Sequence, residues 1–180
     1  MSRRNFLTGQ SMMASAAAQG TAPQQPAAAK PKPEQPPVIP PMVDSKYGTA
    51  EQIMSLPAAR LIAILTDRDG SEYAKAKACQ RLAVIGGPQA VPALAALLSD
   101  PKLSHYARFG LEPNPDPSAG AALLGALDRV QGSLLVGIVN SIGNRKDKRA
   151  IAALGKLRSH TDLEVARAAD AALAKIRPGL

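Results

Sequence analysis

Cysteine occurs once in this chain of 180 residues, tryptophan is absent, and aromatic residues make up 3%. A lone cysteine excludes an intrachain disulfide framework. Two histidines beside it leave too few ligands for the usual four-ligand Cys/His zinc site. Without a Cys-x-x-Cys-His motif, covalent c-type haem attachment is excluded as well. No apolar run approaches the ~18 residues of a transmembrane helix. The chain also lacks a Gly-rich phosphate loop, a nucleophile elbow and paired carboxylates at a plausible cleft. These absences predict no catalytic residues, no metal and no cofactor.

Charge and proline are what the chain has in quantity. Its 22 Lys+Arg outnumber 14 Asp+Glu, a net charge of +8. Residues 1–43 hold Arg3, Arg4, Lys30 and Lys32 against Glu34, which leaves +5 for the remainder. From Pro23 to Pro41 the composition is almost wholly Pro, Ala, Gln and Lys. Such a stretch has too little apolar surface to offset its ordering entropy. It reads as a disordered, partly polyproline-II spacer, with the linker set at residues 23–48.

Ser2-Arg3-Arg4-Asn5-Phe6-Leu7 resembles the twin-arginine export motif, whose consensus is Ser/Thr-Arg-Arg-x-Phe-Leu-Lys. Thr8 stands where that family often has Lys. A weakly apolar stretch runs to Ala18, and Ala14-Ser15-Ala16 and Ala16-Ala17-Ala18 both fit small-x-small cleavage. The resemblance carried by Arg3, Arg4, Phe6 and Leu7 implies a bacterial signal over residues 1–22. It implies a periplasmic destination and membrane contact only during export. A fortuitous Arg-Arg pair would leave the protein cytoplasmic.

Internal repetition decides the fold expected for residues 49–180. Val91, Ala121 and Ile151 align at a constant step of thirty, as do Leu94, Leu124 and Leu154, and Leu97, Leu127 and Leu157. Within each segment these residues fall at i, i+3 and i+6, which gives one apolar helical stripe. Segments 72–86, 102–112, 133–143 and 162–177 also read as helical, and no strand alternation appears. Helix starts are marked by Thr49, by Asp100-Pro101, Asp116-Pro117 and Asp147, by Pro88 after Gly86-Gly87, and by a capping box from Thr161 to Glu164. A single helix pair cannot cover its own stripe, so stacked pairs must bury it jointly.

Ala90-Val91-Pro92-Ala93-Leu94-Ala95-Ala96-Leu97-Leu98-Ser99-Asp100 resembles the second helix of HEAT repeats, including the short bacterial kind grouped with phycobilin-lyase HEAT-like repeats. Glu164 to Ile176 resembles the first helix. The resemblance spans about residues 57–178. It implies an all-α, right-handed solenoid of about four helix pairs. The Pro-rich stretch Glu112 to Pro117 departs from it.

A stacked array of this kind offers a long binding surface. The expected work is that of a non-catalytic scaffold or accessory subunit that binds another protein. In HEAT arrays the second helices line the concave side, which selects Gln89, Ala119 and Arg149, then Ala96, Ala126 and Lys156. The basic turn Arg145, Lys146, Lys148 and Arg149 adds a second candidate contact, for a phosphate, a nucleic-acid backbone or an acidic partner, although an ordinary solvated turn has the same composition. Glu112, Asn114 and Asp116 hint at a weak cation site. Tyr106 and Phe109, at i and i+3, are expected in the core. Cys79 reads as a small buried residue, with Lys75 and Lys77 leaving a reactive thiol open. HEAT-like enzymes, bilin lyases and alkylpurine DNA glycosylases, form one alternative, and a basic nucleic-acid-binding module forms another. Scarce aromatics argue against all of these, since pockets for chromophores and extruded bases need stacking surfaces.

Overall fold

A computed structural model describes residues 42–177. The expected export motif at Arg3, Arg4, Phe6 and Leu7 and most of the expected linker lie outside them. The described chain is predominantly helical. It opens with an antiparallel hairpin of β1 (Val43–Asp44) and β2 (Gly48–Thr49), in which Val43 pairs with Thr49 and Asp44 with Gly48. Among the described residues nine α-helices follow: α1 (Ala50–Met54), α2 (Ala58–Thr66), α3 (Glu72–Ile85), α4 (Val91–Ala96), α5 (Ser104–Leu111), α6 (Pro117–Ala126), α7 (Gly132–Arg145), α8 (Ile151–Leu157) and α9 (Leu163–Ile176). Short 3-10 turns at Pro88–Ala90 and Lys148–Ala150 lead into α4 and α8.

This short hairpin forms where the sequence shows no strand alternation, at residues expected at the end of the linker. Two carboxylates explain it. Asp44 is buried and accepts from the backbone N–H of Lys46 (2.8 Å) and Tyr47 (2.7 Å) and from the Ser71 hydroxyl. Asp67 accepts from Lys46 Nζ (2.6 Å) and the Tyr47 hydroxyl (2.5 Å). These bonds tie the hairpin to both sides of the α2–α3 connection and offset the entropy of ordering it.

Three helix starts follow the expected side-chain capping chemistry. Thr49 and Gln52 form a capping box. Asp116 accepts from Ser118 N–H at 2.8 Å, with Pro117 at the first helical position of α6. Asp147 accepts from Arg149 N–H at 3.0 Å. Asp100 accepts from Lys102 and Leu103, although α5 itself begins at Ser104. At α9 the cap is Asp162 rather than Thr161. Asp162 accepts from Glu164 N–H at 2.9 Å, while its own N–H donates to His160 Nδ1 at 3.0 Å. A carboxylate one residue nearer the helix displaces the hydroxyl.

Helix α3 packs on α5, α5 on α7 and α7 on α9, while α2 packs on α4 and α4 on α6. Pairs α2–α3, α4–α5, α6–α7 and α8–α9 join these contacts crosswise. The core between them repeats. Ala90, Ala119 and Ala150 are fully buried, and so are Leu94, Leu123 and Leu154. Leu82, Leu111 and Ile142 form a third buried row. All three rows step by 29 residues and then by 31. The constant step of thirty therefore fails at the middle unit. Ala121 is exposed, and Leu124 is only half-buried beside the buried Leu123.

The difference has a location. From Leu82 to Ala90, Leu111 to Ala119 and Ile142 to Ala150 the chain advances eight residues each time. The Pro-rich turn is thus the same length as its counterparts. The variation lies in the connections α4–α5 and α6–α7, the second of which turns through Gly132 at φ +55°.

Small residues set the closest approaches. A Cβ on Gly143 of α7 would fall 2.8 Å from the Ala172 backbone of α9, a distance that no real side chain keeps. One on Gly110 of α5 would meet Leu94 of α4 at 2.9 Å.

Candidate functional site

The slipped register changes which residues face outward from α4, α6 and α8. Gln89, Ser118 and Arg149 are exposed at equivalent places, followed by Ala96, Gly125 and Lys156. Ala119 and Ala126, expected on this strip, are fully buried instead. Ala126 takes the place that Leu97 and Leu157 hold in the neighbouring units.

The basic turn also divides. Arg145, at the last turn of α7, spends its guanidinium on the Pro-rich turn. Its Nη1 donates to the carbonyls of Leu111 (2.7 Å), Glu112 (2.8 Å) and Asn114 (2.5 Å), and Nη2 reaches the Asp116 carbonyl at 3.4 Å. Burial pulls its pKa down, opposed by the nearby Asp147. Arg145, half-buried, therefore clamps the Pro-rich turn to the end of α7. The second nitrogen of the guanidinium is what extends the clamp to Asp116.

The same bonds remove the expected cation site. The turn's carbonyls are occupied. Asn114 is buried, donates to the Gly87 carbonyl at 3.3 Å and accepts from Asp116 N–H at 3.0 Å. Glu112 accepts from Asn144 at 2.9 Å, and Asn144 in turn accepts from Lys175 Nζ at 2.7 Å. Among the described residues no group of His, Cys, Asp and Glu could hold a metal ion.

Lys146, Lys148 and Lys156 are exposed and have no ion-pair partner among the described residues. Lys146 ends α7 in the left-handed conformation, φ 53°. Arg149 forks onto Asp147, with Nε 2.9 Å from Oδ1 and Nη2 2.6 Å from Oδ2, while Nη2 also donates to the Pro117 carbonyl at 3.1 Å. That pair holds the Asp147 carboxyl below its ordinary range, chiefly through the Arg149 hydrogen bond. Gly120 of α6 leaves the space it needs, since a Cβ there would collide with both side chains.

Arg149 and Lys156 border a cavity of about 370 Å³ between α6 and α8. Leu127, Ala152, Ala153 and Leu157 supply its apolar lining, and Asp128 lines it as well. The arrangement provides an apolar seat among cations, with no nucleophile and base in contact. Cys79 is no nucleophile either, because burial pushes its thiol up to about 12.

A second cavity was not anticipated from the sequence. About 540 Å³ in volume, it is lined by Ala83 and Val84 of α3, Phe109, Glu112 and Pro113 at the end of α5, and Asn144. Phe109 is 54% exposed and Val84 76%, whereas Tyr106 packs against the core. The expectation of a buried Phe109 is thereby corrected: α5 turns Ala107 and Leu111 inward, and Phe109 falls between them on the outer side. Spacing of i and i+3 from Tyr106 carried no information about which of the two would be covered.

No protein-family model matches the chain, and no curated protein is significantly similar to it. No helix of the described residues is long and apolar enough to cross a membrane.

Proposed function

We propose that the chain is a HEAT-like repeat protein whose four helix pairs stack as a right-handed solenoid, and that it works by binding another protein without catalysing a reaction. One observation carries this reading. The same buried Ala-x-x-x-Leu pair recurs at Ala90–Leu94, Ala119–Leu123 and Ala150–Leu154, each eight residues past a buried aliphatic residue of the preceding helix. Repeats of this kind bury their stripes only against neighbours and leave one side of every second helix free. Here that free side carries Arg149, Lys156 and the cavity between them.

Export supports a partner in the periplasm. The Ser2-Arg3-Arg4-Asn5-Phe6-Leu7 motif is the basis for that part of the proposal. N-terminal sequencing of the protein from a periplasmic extract tests it, and a chain that still begins at Met1 and stays in the cytoplasm would reject it. Co-purification of the full chain tests the scaffold reading. A stoichiometric companion is expected. Its absence, or a turnover that survives repeated purification, would contradict it.

The HEAT-like enzymes gain no support from the cavity between α6 and α8, which has no aromatic residue in its lining.

A further inference from the structure

The geometry points to an acidic segment of a partner protein as the occupant of the groove between α6 and α8, with an aliphatic side chain of that segment seated between Leu127 and Leu157. This inference rests on the scaffold reading above and adds the chemistry of the partner.

Charge is the first ground. Residues 145–158 contain six Lys and Arg and a single Asp, a net +5. That equals the whole excess of residues 44–180, so the rest of this stretch is formally neutral. Arg145 is consumed by backbone carbonyls, Arg149 is shared with Asp147, and Arg158 pairs with Asp170 at 2.6 Å. Lys146, Lys148 and Lys156 remain without ion-pair partners among the described residues. Unpaired cations gathered on one short stretch steer and hold an oppositely charged surface.

Shape is the second ground. The cavity is lined by Leu127, Ala152, Ala153 and Leu157, whose side chains offer no hydrogen bond, together with Asp128, Arg149 and Lys156. An aliphatic side chain gains by burial against the four apolar residues, and a carboxylate beside it reaches Arg149 or Lys156. Nucleic acid meets the first ground but not the second. No aromatic lines the cavity to stack on a base. Asp128, also in the lining, can accept from a peptide N–H. The observations therefore favour a polypeptide that is acidic and carries spaced aliphatic residues.

The test uses the purified full chain and a fluorescein-labelled peptide of Asp and Glu with two central leucines. Comparison probes are the same peptide with both leucines replaced by serine, the lysine counterpart, and single-stranded oligothymidylate. Lys156→Glu and Ala152→Glu alter exposed positions, and an unchanged melting temperature verifies that each variant folds. The leucine peptide is expected to bind saturably, with backbone amide shifts at residues 127, 152, 153 and 157. Loss of the leucines should weaken it at least about tenfold, and Lys156→Glu about fivefold. No saturable binding by about 1 mM, equal affinity for the serine peptide, indifference to both variants, or tighter binding of oligothymidylate would each overturn the proposal. A co-purifying protein that stays on Lys156→Glu and Ala152→Glu would leave the scaffold reading standing and remove this groove from it.

Discussion

Arg145 donates to the carbonyl of Asn114, thirty-one residues earlier in the chain, at 2.5 Å. The bond joins the end of α7 to the Pro-rich turn that ends α5. Successive helix pairs are thus fastened by a guanidinium where hydrophobic contact alone would leave helix-end carbonyls unpaired.

Arg145→Ala should therefore destabilise the protein by about 2–4 kcal/mol, since it strips charged donors from several carbonyls at once. Arg145→Lys should rescue only part of this, because the shorter ammonium gives up the donation of the second nitrogen to Asp116. Lys146→Ala next to it should stay within about 0.5 kcal/mol of wild type. Urea denaturation of the three variants checks the order.

The middle repeat gives a second comparison. Leu123→Ala should cost about 2–5 kcal/mol by opening a cavity in the core. Leu124→Ala, at a half-buried site, should cost about 1 kcal/mol. A constant thirty-residue register makes Leu124 the larger loss, so thermal melts of the pair decide between the two registers.

Glycines test the close helix approaches. Gly143→Ala should lower stability by about 1–3 kcal/mol, because its Cβ meets the backbone of Ala172. Gly155→Ala should raise it by about 0.5–1 kcal/mol, because the site opens to solvent within a helix and alanine lowers the entropy of the unfolded chain. Opposite shifts in melting temperature are the expected result.

Acid should release the hairpin before the helices. Asp67 is held at about 2, by Lys46 first and then by the Tyr47 hydroxyl, and Asp44 is lowered chiefly by Ser71. A carboxylate depressed in the folded state contributes stability above its ordinary value near 3.8, and that contribution is lost as the pH falls through the folded value. Tyr47 ring resonances should therefore shift between about pH 4 and pH 2. Asp67→Asn should abolish its share of that shift.

Cys79 should resist iodoacetamide in the folded protein at pH 8 and react in proportion to unfolding as urea is added. Fast labelling without urea would contradict the buried thiol.

Helix positions were legible in the sequence because their signals are local. Thr49, Asp116-Pro117 and Asp147 cap where their chemistry dictates, and the apolar stripes identify α4, α6 and α8. The register was not legible to one residue. In an alanine- and leucine-rich helix such as Pro117–Ala126, neighbouring Leu123 and Leu124 fit the stripe almost equally well, and only packing against α4 and α7 chooses between them. That error misplaced Ala126 on the surface. Arg145 was misread for a different reason. A cation within a charged turn looks solvated unless the carbonyls it reaches are known, and those lie more than thirty residues away. Lys156 and Arg149 needed no such knowledge, since their exposure follows from their place opposite the buried leucines.

Site-specific photo-crosslinking in the producing cell tests the central claim most directly. A benzophenone amino acid at position 152, over the groove, should capture one defined protein, and the same group at position 167 on α9 should capture none. No adduct from position 152, or the same adducts from both positions, would contradict a partner held between α6 and α8.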